Sequence, residues 1–211
     1  MLAAILALHG KTAKNYVNHN NQLGMAHGIL NTSGDEAFWV FEAGISHAKD
    51  MDELGSMLEP DLALILNIGP GHTEGLGDLG VAWHKTRLLT HLAQDGVGIV
   101  SADYPELVWK AMGTHLKQLM FFSAKSGEIS GQNDCANFAT YLGENEEGLG
   151  VYRLMLAGRE STVVCPLAAS YAAENICAVA LASHLLGIPM ETIQAGLLHF
   201  ENPPQRFRKQ S

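Results

Sequence analysis

Residues 4–15 read AILALHGKTAKN, and how this stretch is taken decides how the chain is drawn. An unbroken apolar run ends in Gly10-Lys11-Thr12, the closing letters of the phosphate-loop signature G-x-x-x-x-G-K-[ST]. Read that way, residues 2–8 form a buried strand, the tripeptide is a tight turn, and a helix follows it. A helix N-terminus offers free N–H groups and the positive end of a dipole, which is why triphosphates settle there. Lys11 would then hold phosphates and the Thr12 hydroxyl a Mg²⁺. The alternative is a chance tripeptide at a turn, because Ala7 or Leu8 stands where the first glycine belongs.

Working outward, the apolar runs at 37–42 (AFWVFE), 62–67 (LALILN), 98–101 and 119–122 are continuous rather than alternating. Strands covered on both faces look like this. Between them, apolar spacings of three and four, such as Met51, Leu54 and Leu58, predict helices over 48–58, 81–92 and 104–113. The alternation predicts an α/β fold of the P-loop type, a doubly wound, mostly parallel sheet flanked by helices. Residues 135–168, β-branched and aromatic between Gly-Glu-Asn turns, predict a small antiparallel addition. Helices over 172–186 and 191–198, parted by Gly187 and Pro189, complete one domain over 1–202. The proline-rich, basic segment 203–211 reads as the start of a linker to a further, C-terminal domain.

Composition narrows the function. At 211 residues, 47% hydrophobic and 17% charged, the chain is a well-cored globular protein. A formal charge of −9 argues against nucleic acid or an anionic membrane as the main partner. Cys135, Cys165 and Cys177 are too few and too irregular for a disulfide framework or a zinc knuckle. There is no signal peptide and no apolar run near the ~20 residues that span a bilayer, so a cytoplasmic location is expected.

Doubly wound sheets bind ligands beyond the carboxyl ends of their strands. Three segments then matter: His9 to Thr12, the group Glu42, Gly44 and Ser46, and NIGPGHTEGLG over 67–77. Glu42 at a strand tip suits Mg²⁺, although taken alone it reads better as an ordinary acid facing water. In the third segment glycines allow sharp turns while His72 and Glu74 offer a metal ligand and an acid, against the plain reading of a structural histidine. Lys85, in VAWHKTRLL, is by itself an ordinary surface lysine.

Taken in order, GKT, then Asn20, Asn21, Leu23 and Gly24, then FEAGIS…DELGSMLEPDLALILNIGPGHTEGLG, VAWHK and ENICAVALASHLLGI resemble the central ATP-binding domain of the Mur ligase family. The NNQLG and EAGIS segments are most similar to the branch that joins D-alanyl-D-alanine to the UDP-muramoyl tripeptide. The resemblance implies ATP and Mg²⁺ as ligands and an acyl-phosphate route to an amide bond in cell-wall precursor synthesis. It implies Gly10, Lys11 and Thr12 on phosphate, and Thr12, Glu42 and His72 on metal. It also implies a CO₂-derived carbamate on Lys85, Asn175 on adenine and Arg206 near ATP. Catalytic roles would fall to Lys11, His72 and Lys85, with the UDP-muramoyl-peptide substrate held by further domains.

The chain departs from the family pattern at Ala7, Ala13, Arg87 and Tyr171-Ala172. Between Lys11 and Asn20 only eight residues remain, too few for a crossover connection, which implies missing residues or a degenerate site. A differently specific ligase of the same fold, such as a folylpolyglutamate or cofactor-amidating enzyme, and a non-catalytic scaffold homologue remain as alternatives.

Overall fold

Leu2–Ala7 is a helix, α1, not the strand its hydrophobicity suggests. The run is Leu and Ala with Ile5 the only β-branched residue, and Ala and Leu favour helix most strongly. Its buried side chains are Ile5 and Leu6. Gly10 and Lys11 then lead into a strand, β1 (Thr12–Lys14), which pairs in parallel with β2 (Phe38–Val40). The helix α2 (Gln22–Leu30) makes the crossover between them. Its first turn is capped by Asn21, whose carboxamide oxygen accepts from Gly24 N–H at 2.9 Å. The short segment from Lys11 to Asn20 therefore needs no crossover of its own. The structure, a computed structural model, describes residues 1–16, 18–69, 76, 79–124 and 135–201.

The second parallel ladder runs β3 (Leu62–Ile65), β4 (Val97–Ser101) and β5 (Leu119–Phe122) in that order. Helix α3 (Asp50–Leu58) precedes it, and α4 (Gly80–Thr86) and α5 (Pro105–Met112) connect its strands. A 3₁₀ turn at Arg87–His91 extends α4. Alternate strand residues face opposite layers, as the pleat requires. Ala63, Ile65 and Val100 pack with Ala82, Leu89, Leu107 and Ala111 under α4 and α5. Ile99 and Phe122 instead join Ile5, Leu6 and the long helix α6 (Ala172–Leu185). Helices thus cover both faces, which is why these strands are apolar throughout.

The antiparallel addition is β6 (Phe138–Glu144), β7 (Gly150–Leu156) and β8 (Arg159–Cys165). Its inner residues Ala139, Tyr152, Leu154 and Val163 enter the same core as α6. Helix α7 (Met190–Leu198) closes it against α1, and Gly196 is where the two helices nearly touch. Among the described residues no hydrogen-bonded ladder joins β2 to β3, so the parallel strands form two groups where one sheet was expected.

Candidate functional site

Gly10, Lys11 and Thr12 do not form a phosphate cradle. The order is helix, turn, strand, the reverse of what an anion-binding loop needs. Since β1 and β2 are parallel, with Thr12 beside Phe38 and Lys14 beside Val40, the tripeptide lies at their amino ends. Glu42 lies beyond the opposite, carboxyl ends. Gly10 packs closely against β2: a Cβ there would lie 2.9 Å from Ala37 Cβ and 3.1 Å from the Phe38 ring. Lys11 Nζ is bound to Asp35 and lies 3.6 Å from Glu36, and these anions raise its pKa. Thr12 Oγ1 donates to Gly10 O at 2.9 Å.

At the carboxyl end of β2 the arrangement is different. Asn15 accepts from Glu42 N–H at 3.0 Å and donates to Glu42 O at 2.9 Å, clamping the strand end to the segment after β1. Asn20 Nδ2 reaches Glu42 Oε1 at 3.4 Å, and Asn20 O accepts from Gly44 N–H at 2.7 Å. This explains why the asparagines and EAGIS go together. The exposed Glu42 carboxylate and the half-buried Asn20 carboxamide are hard oxygen donors of the type Mg²⁺ takes. Among the described residues no three His, Cys, Asp or Glu side chains converge as a metal cage.

The segments after β2 and β3 meet on α4. His84, 1% exposed, has Nδ1 3.1 Å from Ala48 O and Nε2 2.7 Å from Leu76 O. Its neighbour Lys85 donates from Nζ to Asn67 O, just past β3. Lys85 is half-buried, and loss of hydration lowers its pKa while the charge of Glu174 opposes that shift. Arg87, where the family pattern suggests an acid, points elsewhere: its Nε and Nη2 bind Asp52 on α3.

Behind Lys85 lies a cluster that sequence reasoning missed. Glu174, in the first turn of α6, accepts from Ser101 Oγ at 2.9 Å and from Asn67 Nδ2 at 3.4 Å. Asp103 accepts from Ser123 Oγ and from Ala124 N–H, the latter at 2.8 Å. Burial is the main cause raising the Glu174 pKa, and Asp103 adds to it. The strand-tip rule applied to SADYP after β4 would have found Ser101 and Asp103. Nothing local marks Glu174. Asn175 follows it, half-buried. His72 and Arg206 lie outside the described residues, as do Glu74 and segment 203–211.

The model of the Mur ligase middle domain matches residues 1–183. The chain belongs to that family. Among curated Mur ligases, UDP-N-acetylmuramoyl-tripeptide--D-alanyl-D-alanine ligase of Escherichia coli is 29% identical over 210 residues, covering 98% of this chain and 44% of that protein. The enzyme of the same name from Synechocystis is 27% identical, covering 99% of this chain and 42% of its own length. The chain thus spans less than half the length of the relatives it matches. The Mur ligase fold itself is shared with MurF of Acinetobacter baumannii, at a TM-score of 0.82, 24% identity and coverage of 98% and 44%. It is also shared with MurF ligase of Thermotoga maritima in complex with ADP, at a TM-score of 0.80, 21% identity and coverage of 98% and 46%. The α/β architecture, with parallel strands flanked by helices and an added antiparallel sheet, is therefore a Mur ligase architecture.

Proposed function

We propose that the chain is the nucleotide-handling domain of an ATP-dependent amide ligase that builds a cell-wall peptide precursor in the bacterial cytoplasm. Such a ligase transfers the γ-phosphoryl group of ATP to a substrate carboxylate, releasing ADP. An amine then displaces phosphate from the acyl phosphate as the C–N bond forms. In this reading residues 1–202 are the domain, and 203–211 lead to another that supplies the amine. The UDP-muramoyl-peptide substrate is bound mainly outside this chain.

The observation that carries the reading is the meeting of two strand-tip segments on α4, beside a desolvated lysine. Glu42 and His72 are assigned to Mg²⁺, Asn175 to the adenine and Arg206 to the ATP side. Bound Mg²⁺ neutralises charge on the transferring phosphoryl oxygens. Lys85 has a chemistry of its own. An amine whose pKa burial lowers is neutral more often, and the neutral form attacks CO₂ and loses a proton to become a carbamate. Gly10, Lys11 and Thr12 are left out of the site, since they sit at the other end of their strand pair.

Calorimetric titration of Mg-ATP into the protein tests this. Glu42→Ala should weaken binding at least tenfold, and Lys11→Ala should leave it unchanged. Absence of heat in the unmutated protein would favour the scaffold reading, and a loss confined to Lys11→Ala would return the site to the opposite end.

A further inference from the structure

Glu174 is an acid in an expensive place. It stands half-buried at the start of a 14-residue helix, above the ends of β3 and β4. Among the described residues it forms no direct ion pair; its hydrogen-bond donors are the neutral Ser101 and Asn67. Ser101 is fully buried, in the last position of β4. Asn67 is exposed, in the segment leaving β3, and the Lys85 amine rests on its main-chain carbonyl. The contacts thus run from α6 through Glu174 to Asn67 and on to α4.

We propose that Glu174 is a positioning residue for Lys85: through Asn67 it fixes the segment after β3 so that a main-chain carbonyl holds the lysine amine. An amine held this way is docked as a hydrogen-bond donor. It must leave that carbonyl before it reacts with CO₂ or touches an incoming phosphate. Glu174 therefore sets how readily Lys85 is released. Asp103 and Tyr104 at the end of β4 face Glu174 as well, and Lys85 faces it from α4. A purely helical role, an anion favoured by the dipole of α6, would stabilise the fold without reaching Lys85.

The inference rests on Lys85 being the site lysine, but its test needs neither ATP nor turnover. Acetylation by acetic anhydride is followed residue by residue with mass spectrometry across pH, with the exposed Lys117 as internal reference. At high pH, where both amines are deprotonated, the docked Lys85 of the 211-residue chain should react more slowly than Lys117. Glu174→Gln and Asn67→Ala should each raise the Lys85 rate severalfold relative to Lys117. Glu174→Gln should also move the Lys85 pH midpoint down, since a countercharge is removed. An unchanged Lys85 rate in both variants, with native circular dichroism, overturns the proposal. Should Glu174→Gln not fold, Asn67→Ala at its exposed position decides alone. Protection of Lys85 by Mg-ATP is a separate arm: its absence counts against the ligase reading and leaves the relay standing.

Discussion

One oxygen of Asp52 gathers three donors. Arg87 Nε and Nη2 lie 2.9 and 2.7 Å from Oδ1, and His91 Nε2 lies 2.9 Å from the same atom. The group joins α3 to the 3₁₀ turn after α4, and Arg87 also stacks over Trp83 at 5.5 Å. Arg87 is thus accounted for as a structural tie, which no reading of VAWHKTRLL would show because Asp52 is 35 residues away. The side chains are about one-third exposed, so solvent screens the pair, and Asp52→Asn should cost about 1 kcal/mol at pH 7. The Arg87 hydrogen bonds, then that of His91, hold the Asp52 carboxyl below its ordinary 3.8. A depressed carboxylate stabilises the fold above the unfolded value and loses that contribution as pH falls through the folded one. Urea titrations should therefore show the difference between wild type and variant at pH 7 and its shrinkage below about pH 4. The same variant gap at both pH values would mean that charge is not what Asp52 contributes. At this scale Glu42 could be singled out because it follows a strand tip, whereas Lys85, on α4, was marked only by the family resemblance. Glu174 was not, because its use comes from β3 and β4 folding beneath α6.

At the scale of elements, the instructive case is α1. A short apolar run is consistent with a buried strand or a buried helix turn, and periodicity alone does not separate them. Ala and Leu composition favoured the helix, and the GKT letters drew the reading the other way. Strands over 62–67, 98–101 and 119–122 and the helices around them were legible, since each run is flanked by turn residues and alternates with a clear helical period. Helix α2 escaped notice because its start is signalled only by the Asn21 cap. The contact of α1 with α7 can be probed directly. A Cβ on Gly196 would lie 2.6 Å from Ile5 Cα, a backbone atom that cannot yield as a side chain tip can. Gly196→Ala should gain up to about 1 kcal/mol in helix propensity yet lose about 1–3 kcal/mol to overpacking against a backbone atom, for a net destabilisation by thermal melt. Tyr152→Phe tests the antiparallel sheet in the same way. The phenol donates to Leu167 O, lies 2.9 Å from Ala169 O and accepts from Ala169 N–H at 3.3 Å. Losing it should cost about 1–2 kcal/mol by leaving half-buried partners unmet, with the fold retained. A melt unchanged from wild type would show that water replaces the phenol.

Across the whole molecule, the parallel strands fall into two groups and the antiparallel strands into a third, yet the largest of the hydrophobic clusters draws on all three groups. Phe38 and Val40 of β2, Leu62 and Leu64 of β3, Ile99 of β4 and Tyr152 and Leu154 of β7 pack into the cluster that α6 traverses. Sequence reading anticipated parallel strands between helices and the antiparallel addition, since both are written in local patterns. The division of the parallel strands depends on which edges meet, and local patterns do not carry that information. The shared core has a thermodynamic consequence. Ile176 is fully buried at the centre of α6, and truncating it leaves a cavity bordered by several elements at once. Ile176→Ala should cost about 2–5 kcal/mol. If the core is one cooperative unit, that cost appears everywhere. Native-state hydrogen exchange should then lower the opening free energies of the Ile99 amide in β4 and the Leu154 amide in β7 by the same amount. A drop at Ile99 with Leu154 unchanged would mean that the antiparallel sheet is stable by itself and only leans on α6. In that case the relay from Glu174 to Lys85 would belong to the smaller, parallel unit alone, and variants of β6 to β8 would leave Lys85 reactivity untouched.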